Sequence, residues 1–327
     1  MKKDSFQNTN MFTFKEDKDI ELSVVIPCFN SSNTLLELHD KLKRVLQSLE
    51  ITYEIIYVND ASMDHTSKVL KDIAENNGHT TVIDLLFNVG QFRALMCGLE
   101  YSSGNYVITM DDDLQHPPEE IPKLYYELKN NNGLDAVIGK YKKKNHSLIR
   151  NAGSTLARKL RGSIFNKPKD FQTTSFRCLT RPLVNAVVSH KTMFPAIGLL
   201  IFRSSNKIKS VEVEHHQRKH GKSNYSLFKL IKTLLDNTFS YTSLPLKYIS
   251  VLGIIVSIVG FSLALYYLVS YLLGRTAVPG WTTVVILLNI YSGLLLLSVG
   301  IIGEYLLKTL QEVNGYPRYF IRTIYKK

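Results

Sequence analysis

The chain predicts an α/β fold, a mostly parallel sheet with helices on both faces, followed by an amphipathic interface helix and two transmembrane helices. Three observations carry this. From Leu22 to Gly139 short β-branched runs alternate with longer amphipathic ones; an acidic cluster closes one of the apolar runs; and the stretches Tyr248 to Gly274 and Thr276 to Gly303 contain no charged side chain. Strand–helix alternation implies parallel strands covered on both faces. In such sheets ligands bind beyond the carboxyl ends of the strands.

In chain order, the expected strands are Leu22 to Pro27, Tyr53 to Val58, Thr81 to Leu85, Tyr106 to Met110 and Ala136 to Gly139. The expected helices between them are Thr34 to Leu49, Asp64 to Ala74, Gln91 to Tyr101 and Glu119 to Asn130. The polar residues at the strand ends, Asn30, Asn59-Asp60, Asn88 and Asp111 to Gln115, would then share one crevice. Taken singly, each is also an ordinary turn former. Further on, Phe228, Ile231, Leu234, Leu235 and Phe239 recur at helical spacing beside Lys229 and Lys232, which suits a helix lying in a membrane interface. The two charge-free runs each exceed the roughly 20 apolar residues needed to cross a hydrocarbon core.

The 327 residues leave room for one large domain ahead of the first span. The expected organisation is a polar leader over 1–20, an α/β domain over 21–223, the amphipathic helix over 224–247, a two-helix hairpin over 248–306 and a basic cytoplasmic tail over 307–327. Met1 to Ile20 has no apolar h-region, so it does not read as a secretory signal. Net charge is +12, with basic residues clustered from Lys140 to Lys169, from Arg203 to Lys232 and after Lys308. Beside two spans these clusters suit anionic headgroups and phosphates, and no nucleic-acid module accompanies them. Lys229, Lys232 and Lys247 precede the first span and Lys308, Arg318, Arg322, Lys326 and Lys327 follow the second, against Arg275 alone in the connecting loop. Both termini are therefore expected on the cytoplasmic side of the inner membrane. Cys28, Cys97 and Cys178 lie far apart without metal-type spacing and carry no functional message.

The acidic cluster reads Met-Asp-Asp-Asp-Leu-Gln-His-Pro-Pro-Glu-Glu-Ile-Pro over 110–122. Asp111, Asp113 and Gln115 offer hard oxygen donors suited to Mn²⁺ or Mg²⁺ on a diphosphate. The bland alternative is an Asp-rich strand end followed by a Pro-led helix start.

Several further pieces stand in a fixed order. They are Ser-Val-Val-Ile-Pro-Cys-Phe-Asn (23–30), Val-Asn-Asp-Ala-Ser-Met-Asp (58–64), Asn-Val-Gly-Gln-Phe-Arg-Ala-Leu-Met-Cys-Gly (88–98), Asp-Asp-Asp-Leu-Gln-His-Pro-Pro-Glu (111–119) and Thr-Ser-Phe-Arg (174–177). Arg-Lys-His-Gly-Lys-Ser-Asn-Tyr (218–225), Gly-Glu-Tyr (303–305) and Pro-Arg-Tyr-Phe (317–320) complete the set. Over Leu22 to Ile321 the chain resembles the membrane-anchored family 2 glycosyltransferases that load a sugar onto a polyprenyl phosphate. Relatives of that kind include dolichol-phosphate mannose synthase, bactoprenol glucosyltransferase and undecaprenyl-phosphate aminoarabinose transferase, and the last two pieces point to the aminoarabinose branch.

The resemblance implies a GT-A, Rossmann-like domain over 21–223 and inverting transfer from a nucleoside-diphosphate sugar, a UDP-sugar by branch, to undecaprenyl phosphate. It assigns Pro27, Asn30, Asp60, Asn88 and Gly90 to the nucleotide, with Asp112, Arg218 and Ser223 also on the donor; Ser175 joins the binding set and, with Arg177, matches the acceptor-side motif. Asp111, Asp113 and Gln115 would hold the metal, and Asp111, Asp113, Arg177 and Arg218 would carry catalysis. Relatives often have Glu where Ser31 stands, Ala where Asp112 stands and an acidic residue where Ser175 stands. Lys140, Arg150 and Arg158 are further phosphate-clamp candidates without motif support. A lipid phosphate is already an anion near neutral pH, so it needs no general base. Expected partners are the donor, polyprenyl phosphate, membrane lipids and further copies of the chain, a tetramer included; Gly253, Ser257, Gly260, Gly293 and Gly300 supply small helix faces. The same glycines would also serve to pack the hairpin against itself. Two rival readings are a processive polysaccharide synthase, whose Gln-x-x-Arg-Trp segment is missing around the single Trp281, and an inactive nucleotide-sugar-binding scaffold.

Overall fold

The computed structural model describes residues 20–141, 174–190, 192–193, 195–216, 244–274, 280–315 and 317–327. Eight strands form one sheet in the order β7-β5-β6-β4-β1-β2-β3-β8. The strands are β1 (Leu22–Cys28), β2 (Tyr53–Asn59), β3 (Thr80–Leu85), β4 (Tyr106–Thr109), β5 (Ala136–Tyr141), β6 (Arg177–Thr180), β7 (Ile208–Val213) and β8 (Ile321–Lys326). β1 pairs in parallel with both β2 and β4, and β2 with β3. β6 is antiparallel to β4 and β5, and β8 is antiparallel to β3. Every residue of β1 and β2 is buried, as strands covered on both faces require, so these runs read as continuous apolar stretches instead of alternating ones.

Helices α1 (Leu35–Ser48), α2 (Thr66–Asn76) and α4 (Ile121–Lys129) cover one face; α3 (Gln91–Tyr101), α5 (Arg181–Ser189) and α6 (Ile197–Ser204) cover the other. The two faces hold separate apolar clusters. In α1 the buried positions Leu35, Leu38, His39, Leu42 and Leu46 follow the 3.6-residue period, which turns one stripe to the sheet. Gly104 is required by close approach: a Cβ there would sit 2.6 Å from the Ser23 amide nitrogen. Its own N–H donates to Ser23 Oγ at 2.8 Å, and Ser23 Oγ donates to the Glu54 carboxylate at 2.7 Å.

Two long apolar helices follow, α7 (Leu244–Leu272, 29 residues) and α8 (Trp281–Val313, 33 residues). Among the described residues one segment, Ile290–Val313, is long and apolar enough to cross a membrane, and Tyr248–Leu263 is a shorter apolar stretch of α7. Gly260 of α7 lies against the Tyr291 hydroxyl of α8, where a Cβ would clash, so this glycine packs the hairpin against itself. Most of the expected amphipathic helix over 224–247 lies outside the described residues.

The C-terminal segment differs from the expected basic tail. Residues 321–326 form β8 on the β3 edge, Thr81 opposite Lys326 and Leu85 opposite Ile321, and alternate partly buried with exposed residues. The Arg318 guanidinium, meanwhile, pairs with Glu100 of α3 at 3.0 Å, and the Tyr319 hydroxyl donates to the same carboxylate. An unpaired β3 edge and a buried acid on α3 draw these residues back to the sheet.

Candidate active site

The carboxyl ends of β1, β2, β3 and β4 converge on one edge of the sheet, and the loop after each holds a residue in the left-handed region. These are Asn30 (φ 53°), Ala61 (φ 51°), Gly90 (φ 89°) and Leu114 (φ 61°). For Ala61 and Leu114 this conformation costs on the order of 1–2 kcal/mol. Such strain persists where neighbouring bonds hold it, and it clusters at functional sites.

Asp111 follows β4 and is fixed by three groups. Gln91 Nε2 donates to its Oδ1 at 2.7 Å, Ser175 Oγ donates to its Oδ2 at 2.5 Å, and its backbone N–H donates to His116 Nδ1 at 3.2 Å. Because Nδ1 accepts, the His116 proton is on Nε2, which donates to the Tyr141 hydroxyl. Burial lowers the His116 pKa, in keeping with that neutral tautomer. Phe176 stacks on His116 at 5.2 Å between ring centroids, and His215 stacks on Tyr141 at 4.0 Å. With both ring nitrogens engaged, His116 braces the loop.

Asp113 Oδ1 accepts from the Gln115 amide at 3.1 Å, and the Gln115 carbonyl accepts from the His216 amide at 3.0 Å, which ties the end of β7 to the acidic loop. Asp112 points the other way. Its Oδ2 accepts from the Phe29 amide at 3.2 Å and its carbonyl from Thr34 Oγ1 at 2.8 Å, joining this loop to the one after β1. Burial pushes the Asp112 carboxyl up to about 6, the Asp111 and Asp113 charges adding to the rise.

Arg177 opens β6 opposite Thr109 and is 4% exposed. Its Nε donates to the Thr174 carbonyl at 2.6 Å, while Nη1 is buried with no hydrogen-bond partner among the described residues. Burial pulls its pKa down to about 10, with the Asp111 carboxylate opposing, so it remains a cation at neutral pH.

Across the crevice Asp60 is also buried. Its carboxylate accepts from the Val89 amide at 2.7 Å and the Gly90 amide at 2.9 Å, and Asn88 Nδ2 donates to its carbonyl at 3.1 Å. Burial raises its pKa, the two amides and Arg93 opposing. Asp60 therefore holds the loop after β3 in shape. Asn30 Oδ1 accepts from the Met63 amide at 2.9 Å, linking the first two loops, and Pro27 is buried within β1 opposite Val58.

The crevice thus gathers Asn30, Asp60, Asn88, Gly90, Asp111, Asp112, Asp113, Gln115, Ser175 and Arg177, with Pro27 behind them. Lys140 lies on β5, whereas Arg150, Arg158, Arg218 and Ser223 lie outside the described residues. The sequence reading did not single out Gln91, Thr109, His116, Tyr141 or His215. His116 carried a signal in its place in the acidic motif and Gln91 in its place in the piece over 88–98; the others reach the site through pairings between distant segments, such as Thr109 Oγ1 donating to the Ser175 carbonyl at 2.6 Å.

A carboxylate loop lies at the switch edge of the sheet, backed by a buried cation, the place where α/β sheets bind ligands. The chain belongs to glycosyl transferase family 2, whose family model matches residues 23–191. It is a glycosyltransferase. It is 31% identical to the undecaprenyl-phosphate 4-deoxy-4-formamido-L-arabinose transferase of Proteus mirabilis over 96% of both chains. An uncharacterized glycosyltransferase of Synechocystis sp. is 32% identical over 94% of this chain and 96% of that one. Among solved structures, glucosyl-3-phosphoglycerate synthase of M. tuberculosis aligns with a TM-score of 0.49 at 21% identity over 66% of this chain and 80% of that one.

Proposed function

We propose that the chain transfers a sugar, with inversion, from a nucleoside-diphosphate sugar, by branch a UDP-sugar, to undecaprenyl phosphate at the cytoplasmic face of the inner membrane. The near full-length likeness to the Proteus mirabilis transferase supports the acceptor class. The single observation that carries the reading is Arg177: a buried guanidinium beside Asp111, with Nη1 left without a partner among the described residues, suits an anionic substrate oxygen.

Asp111, Asp113 and Gln115 fit a divalent cation by their chemistry, two carboxylates and an amide oxygen on one short loop. Such an ion supplies, when bound, charge neutralisation for the departing diphosphate. The chain's own groups do the rest. Ser175 and Gln91 hold the Asp111 carboxylate, and His116 holds its backbone, so the loop needs little reorganisation when the donor binds. An acceptor phosphate oxygen attacks the anomeric carbon in line; the new C–O bond forms as the bond to the diphosphate breaks, and the electron pair leaves with the nucleoside diphosphate. No proton need move. Arg177 offers its charge to the reacting phosphates and Asp60 keeps the loop over 88–90 in register.

Two spans are favoured by a topological argument. β8 is hydrogen-bonded into the sheet that β1 to β3 build, so the intervening chain starts and ends on one side of the membrane. If Ile290–Val313 crosses, another segment must cross back, and α7 at 29 residues spans about 44 Å against a core of about 30 Å.

The test uses detergent-purified full chain with undecaprenyl phosphate, Mn²⁺ or Mg²⁺, and a panel of UDP, GDP and dTDP sugars. Nucleoside diphosphate release and lipid product are followed by mass spectrometry. Lipid-dependent release with one donor, abolished by chelation or by Asp113→Ala, is expected. Donor binding without any lipid product would favour an inactive scaffold, and a growing polymer a processive synthase.

A further inference from the structure

Large apolar side chains stand exposed around the carboxyl edge of the sheet, in the loops after three successive strands and at the start of α3. They are Phe29, Met63, Leu86, Phe87, Phe92 and Phe320, with Phe87 and Phe320 each 47% exposed and Phe92 42%. Phe87 and Phe320 sit 6.0 Å apart between centroids, and the Leu86 amide donates to the Phe320 carbonyl at 2.8 Å, so β3's exit and the approach to β8 form one surface. A rim this apolar around a site for anionic ligands calls for a partner.

The same edge touches the end of α8. Thr192 Oγ1 donates to Glu312 Oε1 at 2.9 Å; next along the chain, the Met193 carbonyl accepts from Arg93 Nε at 2.9 Å. Phe92 adjoins Arg93, and Gln91 beside it donates to Asp111. Three hydrogen bonds and two short runs of backbone therefore lead from the apolar helix to the carboxylate. The 24 residues of Ile290–Val313 rise about 36 Å, so a span of this length puts Glu312 at the polar boundary of the bilayer. Phe320 follows Val313 by seven residues, which reach at most about 25 Å when extended.

We propose that this rim, centred on Leu86, Phe87, Phe92 and Phe320, is a docking surface for the bilayer itself. Its aromatic rings enter the headgroup–acyl boundary and the crevice opens onto the membrane plane. The proposal rests on the reading of α8 as a span. Phenyl rings and aliphatic groups suit that boundary, and the exposed Arg322, whose Nη2 donates to the Leu86 carbonyl at 3.2 Å, suits anionic headgroups beside them. A phosphate carried on a lipid would then meet Arg177 and Asp111 without leaving the bilayer.

The test uses the full chain in nanodiscs containing anionic phospholipid, with Phe87→Cys, Phe92→Cys or Phe320→Cys carrying an environment-sensitive fluorophore. The native cysteines are buried. Tyr101→Cys, at the far end of α3 and 43% exposed, serves as control. Lipids bearing a headgroup nitroxide should quench the three rim positions about twofold or more above the control. Equal quenching at all positions overturns the proposal. So does self-quenching between labelled copies with no effect of the nitroxide, which would make the rim an interface between protomers. The quenching reads docking whether or not sugar is transferred, so its failure is separable from failure of the transferase reading. In vesicles, Phe87→Ser with Phe320→Ser should raise KM for undecaprenyl phosphate about tenfold while leaving donor KM unchanged, and a short-chain soluble prenyl phosphate should abolish the difference. A KM that moves equally for both acceptors overturns the proposal.

Discussion

Arg177→Met separates a residue held for chemistry from one held for the fold. Methionine keeps most of the volume and removes the charge. The loss is the charged hydrogen bond from Nε to the Thr174 carbonyl at 2.6 Å, about 1.5–3 kcal/mol. The gain is removal of a buried Nη1 that has no partner among the described residues, about 1–3 kcal/mol. These terms nearly cancel, so folding stability should change by no more than about 2 kcal/mol in either direction, which for a domain of this size is a Tm shift within about 4–8 °C. Activity should behave differently. Removing a preorganised charge at a reacting phosphate costs about 10²–10³ in kcat. Thermal melts of purified protein and single-turnover transfer on the same samples decide the matter. Unchanged turnover, or a Tm lowered far beyond that range in step with activity, would refute the reasoning and make Arg177 a structural cation.

Other predictions follow from the same geometry. Asp112 gives up its proton near 3.8 when unfolded and near about 6 when folded, so its ionisation opposes folding as pH rises through that window, whereas below it both states carry a neutral carboxyl. In metal-free buffer, the Tm advantage of Asp112→Asn over the parent should therefore grow from pH 4 to pH 6 and then level off; an advantage independent of pH would sink the assignment. Arg318 and Glu100 are 12% and 9% exposed, and Arg318→Met leaves a buried acid short of its cation, costing about 3–5 kcal/mol. Adding Glu100→Gln should return a large part of that loss in a double-mutant cycle, and additive losses would mean the pair is not coupled. Gly104→Ala forces a methyl onto the Ser23 backbone and should cost about 1–3 kcal/mol, seen as a lower melting temperature with donor KM unchanged.

Much of the sheet could be read from the chain because each crossover unit announces itself locally. The five strands expected from Leu22 to Gly139 coincide with β1 to β5 within a few residues, and the expected helices with α1 to α4. Their signals are short β-branched runs for the strands and a 3.6-residue period for the helices, each contained within a dozen or so neighbours. The acidic loop was legible for the same reason, since Asp111, Asp113 and Gln115 share one short segment. What surrounds it was not. Ser175 and Gln91 lie 64 and 20 residues from Asp111, and nothing local marks either as its partner.

The sequence by itself determined the alternating elements, the hard oxygen donors at the end of β4 and the long apolar runs, because these are properties of contiguous residues. The tertiary structure alone decided where β6 and β8 insert. It also decided that Asp60 spends its carboxylate on the Val89 and Gly90 amides and that Arg177 is buried, its Nη1 without a partner among the described residues. It further turned the expected tail into an edge strand anchored through Arg318 and Tyr319. The physical reason is common to all of these: hydrogen-bond satisfaction and burial are settled between segments scores of residues apart, and only the packed sheet says which groups meet.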